Sequence, residues 1–335
     1  MKKFYAPAVF AALLLLVSCG TQTKEYRTYD FFAMDTSMRL TLAGENALSD
    51  ATVTEQRIHA LEDALSRTRE DSLIARLNQG ESVEDAELAS LLRLCLVYTE
   101  KTDGAFDVTV ADVVTAWGFT TDSYQVPDEE TLAALLAYVG SEGIILDGNT
   151  VSLKENVRID LGGVAKGYAS DCVKELWDEL GIESGIAALG GNIYCRGTKT
   201  DGSAWTVGIR DPKATDGYVG LLSLSDRFAV TSGGYERRFE DENGNIYHHI
   251  IDPKTGYPAC SGLLSVTVVS ENGTAADVLS TALYVLGADR AIALWRSLGG
   301  FELVLVTEDG SVLVTEGLTG SFDPASEDYS YEYIR

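Results

Sequence analysis

The sequence predicts an α+β fold: a single large domain built on a mainly antiparallel sheet with packed helices. Three observations carry this. Helix-period stretches dominate up to about residue 180, strand-like stretches dominate from 186 to 251, and one more helix separates these from two final strands. Strands and helices do not alternate one by one, as a doubly wound parallel sheet requires. No internal repeat is evident.

The chain has 335 residues, 45% hydrophobic and 23% charged, the balance of a folded protein with a sizeable core. Its formal charge of −25 argues against a nucleic-acid partner, which needs clustered Lys and Arg. An anionic small ligand would therefore need local help from a metal, a lysine or a helix terminus.

Residues 1–18 read as a lipoprotein signal peptide. Lys2 and Lys3 precede an apolar run, Phe4 to Val17, that is too short for a good transmembrane span. Leu16-Val-Ser-Cys19 followed by Gly20 looks like a bacterial lipobox, with Cys19 lipidated and the new N-terminus; the alternative is an ordinary secretory peptide cut near Ser18. The expected location is the extracytoplasmic face of a bacterial cell membrane. Residues 19–28 are then a lipidated tether and 29–335 the folded domain. Cys95, Cys172, Cys195 and Cys260 fit neither a zinc site nor a dense disulfide framework, leaving one bridge or buried free thiols.

Along the domain, Phe32–Thr36 reads as a short apolar loop leading into a strand at Met38–Leu42. Val53, Ile58, Leu61 and Leu65 recur at helical spacing within 51–67, and a second amphipathic helix covers 87–102. The loop between them carries Thr68, then a short helix toward Asn78. His59 reads as a surface or packing residue. Asp103-Gly104 is a turn leading into an alternating segment that ends near Val110. A peripheral helix covers 129–138, and Val151–Leu153 and Val157–Leu161 resemble neighbouring strands.

The run Asp160-Leu-Gly-Gly-Val-Ala-Lys-Gly167 breaks at Gly162-Gly163 and re-emerges as a helix ending at Gly181. Two glycines, a fresh helix end and Lys166 one turn in suit an anion, although an ordinary strand-to-helix turn reads the same way. Ile186–Asn192 is a small-residue strand entering a glycine turn. Strands follow at 205–210, 220–224, 228–231 and 247–251, a helix at 274–286, and strands at 303–307 and 312–314.

Two further stretches carry chemistry. On a helix Asp277 and Thr281 lie one turn apart on one face, with Ser280 beside them. Carboxylate and hydroxyl oxygens suit Mg²⁺ better than a transition metal; the alternative is a hydroxyl bonded back to its own turn. In His248-His-Ile-Ile-Asp-Pro-Lys-Thr-Gly-Tyr-Pro258, adjacent strand residues point to opposite faces, so one histidine is a candidate base, not half of a metal pair.

Taken together, Met34-Asp-Thr, Gly104-Ala-Phe-Asp-Val-Thr109, Asp160–Gly167, Leu189-Gly-Gly-Asn192, Thr231-Ser-Gly233, His249–Pro258 and Ala276-Asp-x-x-Ser-Thr281 resemble the ApbE family of FAD:protein FMN transferases, collinearly over about 30–315. The resemblance implies Mg²⁺-dependent transfer of FMN from FAD to a Thr or Ser hydroxyl of an acceptor protein, releasing AMP. It implies metal ligands at Asp277, Ser280, Thr281 and, through its carbonyl, Gly163. Flavin-nucleotide contacts fall at Met34, Ala105, Phe106, Asp107, Asp160, Lys166 and Ile251, with His249 and Asp277 as the catalytic candidates. The implied acceptor bears a Ser/Thr-Gly-Ala-Thr motif and is membrane-associated. The sequence departs from the family at Thr68, where an aromatic residue usually stacks on the flavin. An FAD pyrophosphatase and a non-catalytic flavin-binding lipoprotein are the alternatives.

Overall fold

A computed structural model describes residues 25–121 and 123–335. The signal segment and Cys19 lie outside the described residues. Tyr26–Thr28, expected as tether, are instead the start of a strand, β1 (Tyr26–Ala33). It turns back into β2 (Thr36–Ala43), with Met34 and Asp35 both at positive φ, 48° and 57°. A two-residue turn of this hand matches the right-handed twist of paired strands, so residues 32–36 form a hairpin tip and not the expected loop.

Seven more strands extend the sheet: β3 (Gly185–Leu189), β4 (Asn192–Arg196), β5 (Arg227–Gly233), β6 (Leu263–Ser270), β7 (Phe301–Thr307), β8 (Ser311–Thr315) and β9 (Ser330–Ile334). Among the described residues the sheet has nine strands whose spatial order is their chain order. Neighbours are antiparallel except for the parallel pair β8 and β9. The expected α+β class and mainly antiparallel pairing hold.

Two excursions from the sheet supply the helices. Between β2 and β3 run α1 (Ala47–Leu65), α2 (Leu73–Asn78), α3 (Ala86–Lys101), α4 (Ala111–Ala116), α5 (Glu129–Leu136) and α6 (Ala165–Glu179). Between β6 and β7 run α7 (Gly273–Leu286) and α8 (Ala288–Leu298). The alternating segment expected before Val110 is a 3₁₀ turn at Val108–Val110 leading into α4. Its cause is Asp107, whose carboxylate accepts hydrogen bonds from the Thr109 N–H at 2.8 Å and the Thr109 hydroxyl at 2.6 Å, capping the turn.

The sheet is buried on both faces at its centre. Met38, Leu40, Tyr194, Phe228, Val266, Val268, Leu303 and Leu305 form one core beneath the helices. Val304, Val306, Val312 and Val314 form another beneath a hairpin of residues 205–210 and 218–224. Burial on both sides erases the alternation that betrays a strand, and Ser265 and Thr267 interrupt the apolar run, so the sequence gives no signal for β6. Neither β9 at the edge nor α8, whose Ile292 and Trp295 are only half-buried, was foreseen either.

Two expected strands are corrected. Val157–Leu161 is extended but joins no sheet. The Asn78 side chain takes the place of a neighbouring strand, donating from Nδ2 to the Ile159 carbonyl at 2.9 Å and accepting the Ile159 N–H at 2.8 Å. The segment expected at 247–251 is shorter: Ile246–His248 pairs with Arg238–Glu240 in a separate ribbon, and the chain leaves it at His249.

Candidate functional site

One end of the sheet collects the tip Met34-Asp35, the turn Gly190-Gly191 and the end of β5. The registers Met38 to Leu189 and Val230 to Asn192 place them side by side. From the opposite end of β6, α7 returns across β5 and β6 toward this region. Asp171 on α6 anchors the start of α7, accepting the Gly273 and Thr274 N–H groups at 2.8 Å each, while Asn272 caps Ala275 N–H at 2.7 Å. The helix is thus fixed in rotation, and its Asp277, Ser280 and Thr281 face α6 and β5.

Asp277 is buried, at 5% exposure. Its Oδ2 accepts the Gly167 N–H at 2.7 Å. Glycine is needed at 167 because a Cβ there would lie 2.4 Å from the Gly273 carbonyl oxygen and 2.5 Å from the Asp277 Cβ. Burial pushes the Asp277 carboxyl above the usual carboxylate range, and the nearby Lys166 charge and the Gly167 N–H oppose that shift. Lys166 makes no ion pair among the described residues, in a chain of net charge −25.

Hydroxyls complete this pocket. The Ser280 hydroxyl bonds back to the Asp277 carbonyl at 2.9 Å, as the plain helical alternative expects, but it also meets the Ser232 hydroxyl at 2.8 Å. Ser232 lies 3.4 Å from the Thr281 Oγ1. Sequence reasoning named the Thr231-Ser-Gly233 motif but gave Ser232 no role; the signal was that motif's position at the end of a strand. Gly163 adjoins both Phe106 and Thr281, since a Cβ at 163 would stand 3.2 Å from the Phe106 ring and 3.6 Å from the Thr281 Oγ1. Gly163, Phe106, Lys166, Asp277, Ser280 and Thr281 therefore converge.

The start of α6 is partly spent inside the protein. Val164 and Ala165 N–H groups both reach the Leu161 carbonyl, Gly167 N–H serves Asp277, and Gly162 N–H serves Asp160 Oδ1 at 2.7 Å. Asp160 also pairs with Arg67 at 3.2 Å, and Arg67 donates to the Ala111 carbonyl and the Thr115 hydroxyl. The loop bearing exposed Thr68 is thereby tied to the Asp160 turn, through a neighbour the sequence did not single out.

The two histidines separate in role. His248 uses both ring nitrogens, Nε2 toward the Ala259 carbonyl at 3.0 Å and Nδ1 as acceptor of the Ile250 N–H at 3.3 Å. His249 sets Nδ1 3.3 Å from the Arg237 carbonyl. A carbonyl only accepts, so Nδ1 carries the proton and Nε2 presents its lone pair. Burial and then the charges of Lys166 and His248 push this imidazole down to about 3.

The remaining expected residues are more dispersed. Met34 is the half-buried tip of the first hairpin, and Arg237 reaches its neighbour Asp35 at 3.8 Å. Ala105 and Phe106 are core residues packed with Leu161, Val164 and Val278. The Asp107 carboxylate is committed to Thr109, and burial raises it above its usual range. Ile251 packs in a separate cluster with Trp117 and Phe119. Cys95, Cys172, Cys195 and Cys260 are all free thiols. No helix among the described residues is long and apolar enough to cross a membrane.

A buried carboxylate, three hydroxyls and a lysine without an ion pair among the described residues converge at one end of an α+β sheet. The chain belongs to the ApbE family, whose model matches residues 34–305. It is 35% identical over 278 residues to the FAD:protein FMN transferase of Treponema pallidum, covering 77% of this chain and 76% of the relative. The Haemophilus influenzae enzyme of the same name is 32% identical, with 93% and 96% covered. A crystal structure of the ApbE protein of Thermotoga maritima superposes with a TM-score of 0.83 at 34% identity, covering 89% of this chain and 99% of that one.

Proposed function

We propose that this chain transfers FMN from FAD to a hydroxyl of an acceptor protein. The observation that carries the reading is the buried Asp277, braced by Gly167 N–H and set beside Lys166 and the hydroxyls of Ser232, Ser280 and Thr281. The names of the relatives support it.

The donor set fits Mg²⁺, because it offers the hard oxygens of hydroxyls and a backbone carbonyl around one buried carboxylate. Asp277, Ser280, Thr281 and the Gly163 carbonyl would hold the ion, which when bound neutralises charge on the FAD phosphates. Lys166 binds the pyrophosphate as a fixed charge. Phe106, Val164 and Val278 belong to the buried apolar cluster behind the site. The acceptor hydroxyl attacks the FMN-side phosphorus; the new P–O bond forms as the bridging P–O bond breaks, and AMP leaves with the bridging oxygen. His249 Nε2 takes the proton from the hydroxyl, a role open to it because the ring is neutral.

The acceptor would present a Ser/Thr-Gly-Ala-Thr sequence and be membrane-associated itself, and lipidation of Cys19 would hold this chain at the extracytoplasmic face of the same bacterial cell membrane. The experiment is to incubate the domain with FAD, Mg²⁺ and such a peptide, and to measure peptide mass. A peptide heavier by an FMN phosphoester supports the transferase. Free FMN with unmodified peptide marks a pyrophosphatase, and intact FAD marks a flavin carrier.

A further inference from the structure

Asn192, the first residue of β4, is 1% exposed; neither its Nδ2 nor its Oδ1 makes a hydrogen bond of good geometry, and the group its amide reaches toward is the Asp277 carboxylate. Residues 192 and 194 share one face of the strand. Tyr194 packs on Trp177 of α6, so the Asn192 carboxamide enters the layer between the sheet and the helices. There it faces the Asp277 carboxylate. Packing alone does not favour such a residue: a buried amide whose acceptor is unused and whose donor reaches only a buried carboxylate is costly, and an apolar side chain avoids that cost. Residues that break this rule cluster where a ligand completes the hydrogen bonding. Asp277 commits Oδ2 to Gly167, which leaves its other oxygen for Asn192.

We infer that Asn192 is a positioning residue of the cation site, with Nδ2 steadying the Asp277 carboxylate and Oδ1 taking the cation or its bound water. The inference rests on reading the Asp277 cluster as a divalent-cation site. An amide oxygen is a hard donor of the same class as the hydroxyls, and groups that orient a ligating carboxylate govern affinity nearly as much as the ligands do. Nothing in the Leu189-Gly-Gly-Asn192 motif alone separates this role from a tight turn, because the sequence does not show that the amide is buried with its acceptor unused.

The test titrates Mn²⁺, without FAD, into the wild type, D277A, N192A and N192D, following bound metal by electron paramagnetic resonance and melting each protein in EDTA. Wild type binds and D277A does not. N192A binds at least about tenfold more weakly and melts no lower than wild type in EDTA. N192D, which keeps an oxygen in place, binds at least as tightly as wild type, and this holds as the test should N192A fail to fold. Equal Mn²⁺ affinity in N192A, a lowered melting point in EDTA for N192A, or weakened binding in N192D overturns the role of Asn192 alone. Absence of Mn²⁺ binding to the wild type overturns the reading beneath it.

Discussion

The Gly167 amide and the Asp277 carboxylate, 110 residues apart in sequence, meet at 2.7 Å where α6 crosses α7. The bond needs a glycine, because the same crossing brings the Gly273 carbonyl against position 167. We expect G167A to lose about 1–3 kcal/mol of stability through overpacking, measured by urea unfolding, and to lose FAD turnover as well. Wild-type stability in G167A would show that the helices separate without cost.

D277N keeps the shape of the side chain and removes a carboxylate that burial already disfavours. Turnover should vanish while the metal-free protein melts at least as high as wild type. K166A should leave melting unchanged and weaken FAD binding about tenfold to a hundredfold, the scale of one charge-assisted contact of ~1.5–3 kcal/mol. Calorimetric titration with FAD settles the point, and equal affinity would make the lysine structural.

His249 is held neutral, so its titration should be missing from the physiological range. Between its folded value of about 3 and the ordinary unfolded value near 6.5, the unfolded chain binds more protons. The His249 contribution to stability is therefore complete above the unfolded value and is lost as pH falls through that window toward the folded one. Imidazole resonances followed by NMR should show no His249 step between pH 5 and pH 8, and H249N should flatten part of the acid destabilisation. A His249 step near pH 6.5 would contradict the half-buried, neutral ring.

Asn78 stands in for a missing strand by closing both hydrogen bonds of Ile159. N78A leaves a buried N–H and C=O without partners and should cost about 2 kcal/mol. Because residues 157–161 feed the Asp160–Gly167 turn, FAD affinity should fall with it. A stability loss with unaltered FAD binding would mean that the turn is held from α6 alone.

Much of this molecule is legible in the chain. Asp277 and Thr281 share a helical face because period alone demands it, and Gly162-Gly163 announces the break before α6. What sequence hides is reciprocal burial. β6 shows no alternation, since Val268 and Val269 feed different cores. Val157–Leu161 looks like a strand because it alternates apolar and charged residues, yet both backbone hydrogen bonds of its central Ile159 go to the Asn78 side chain. Ser232 and Arg67 reach the site only through folding, from segments whose local pattern carries no chemistry.

The hairpin that begins the sheet also sets its polarity in space. β1 enters at Tyr26, whose hydroxyl meets Ser184 at 3.0 Å and the Thr200 N–H at 2.8 Å, and it reaches the site's end of the sheet only at its turn, Met34. Eight residues at ~3.3 Å each span about 26 Å. Residue 25 and the hairpin tip at Met34 therefore lie at opposite ends of the sheet, and whatever restrains the chain at residue 25 holds the end remote from Asp277.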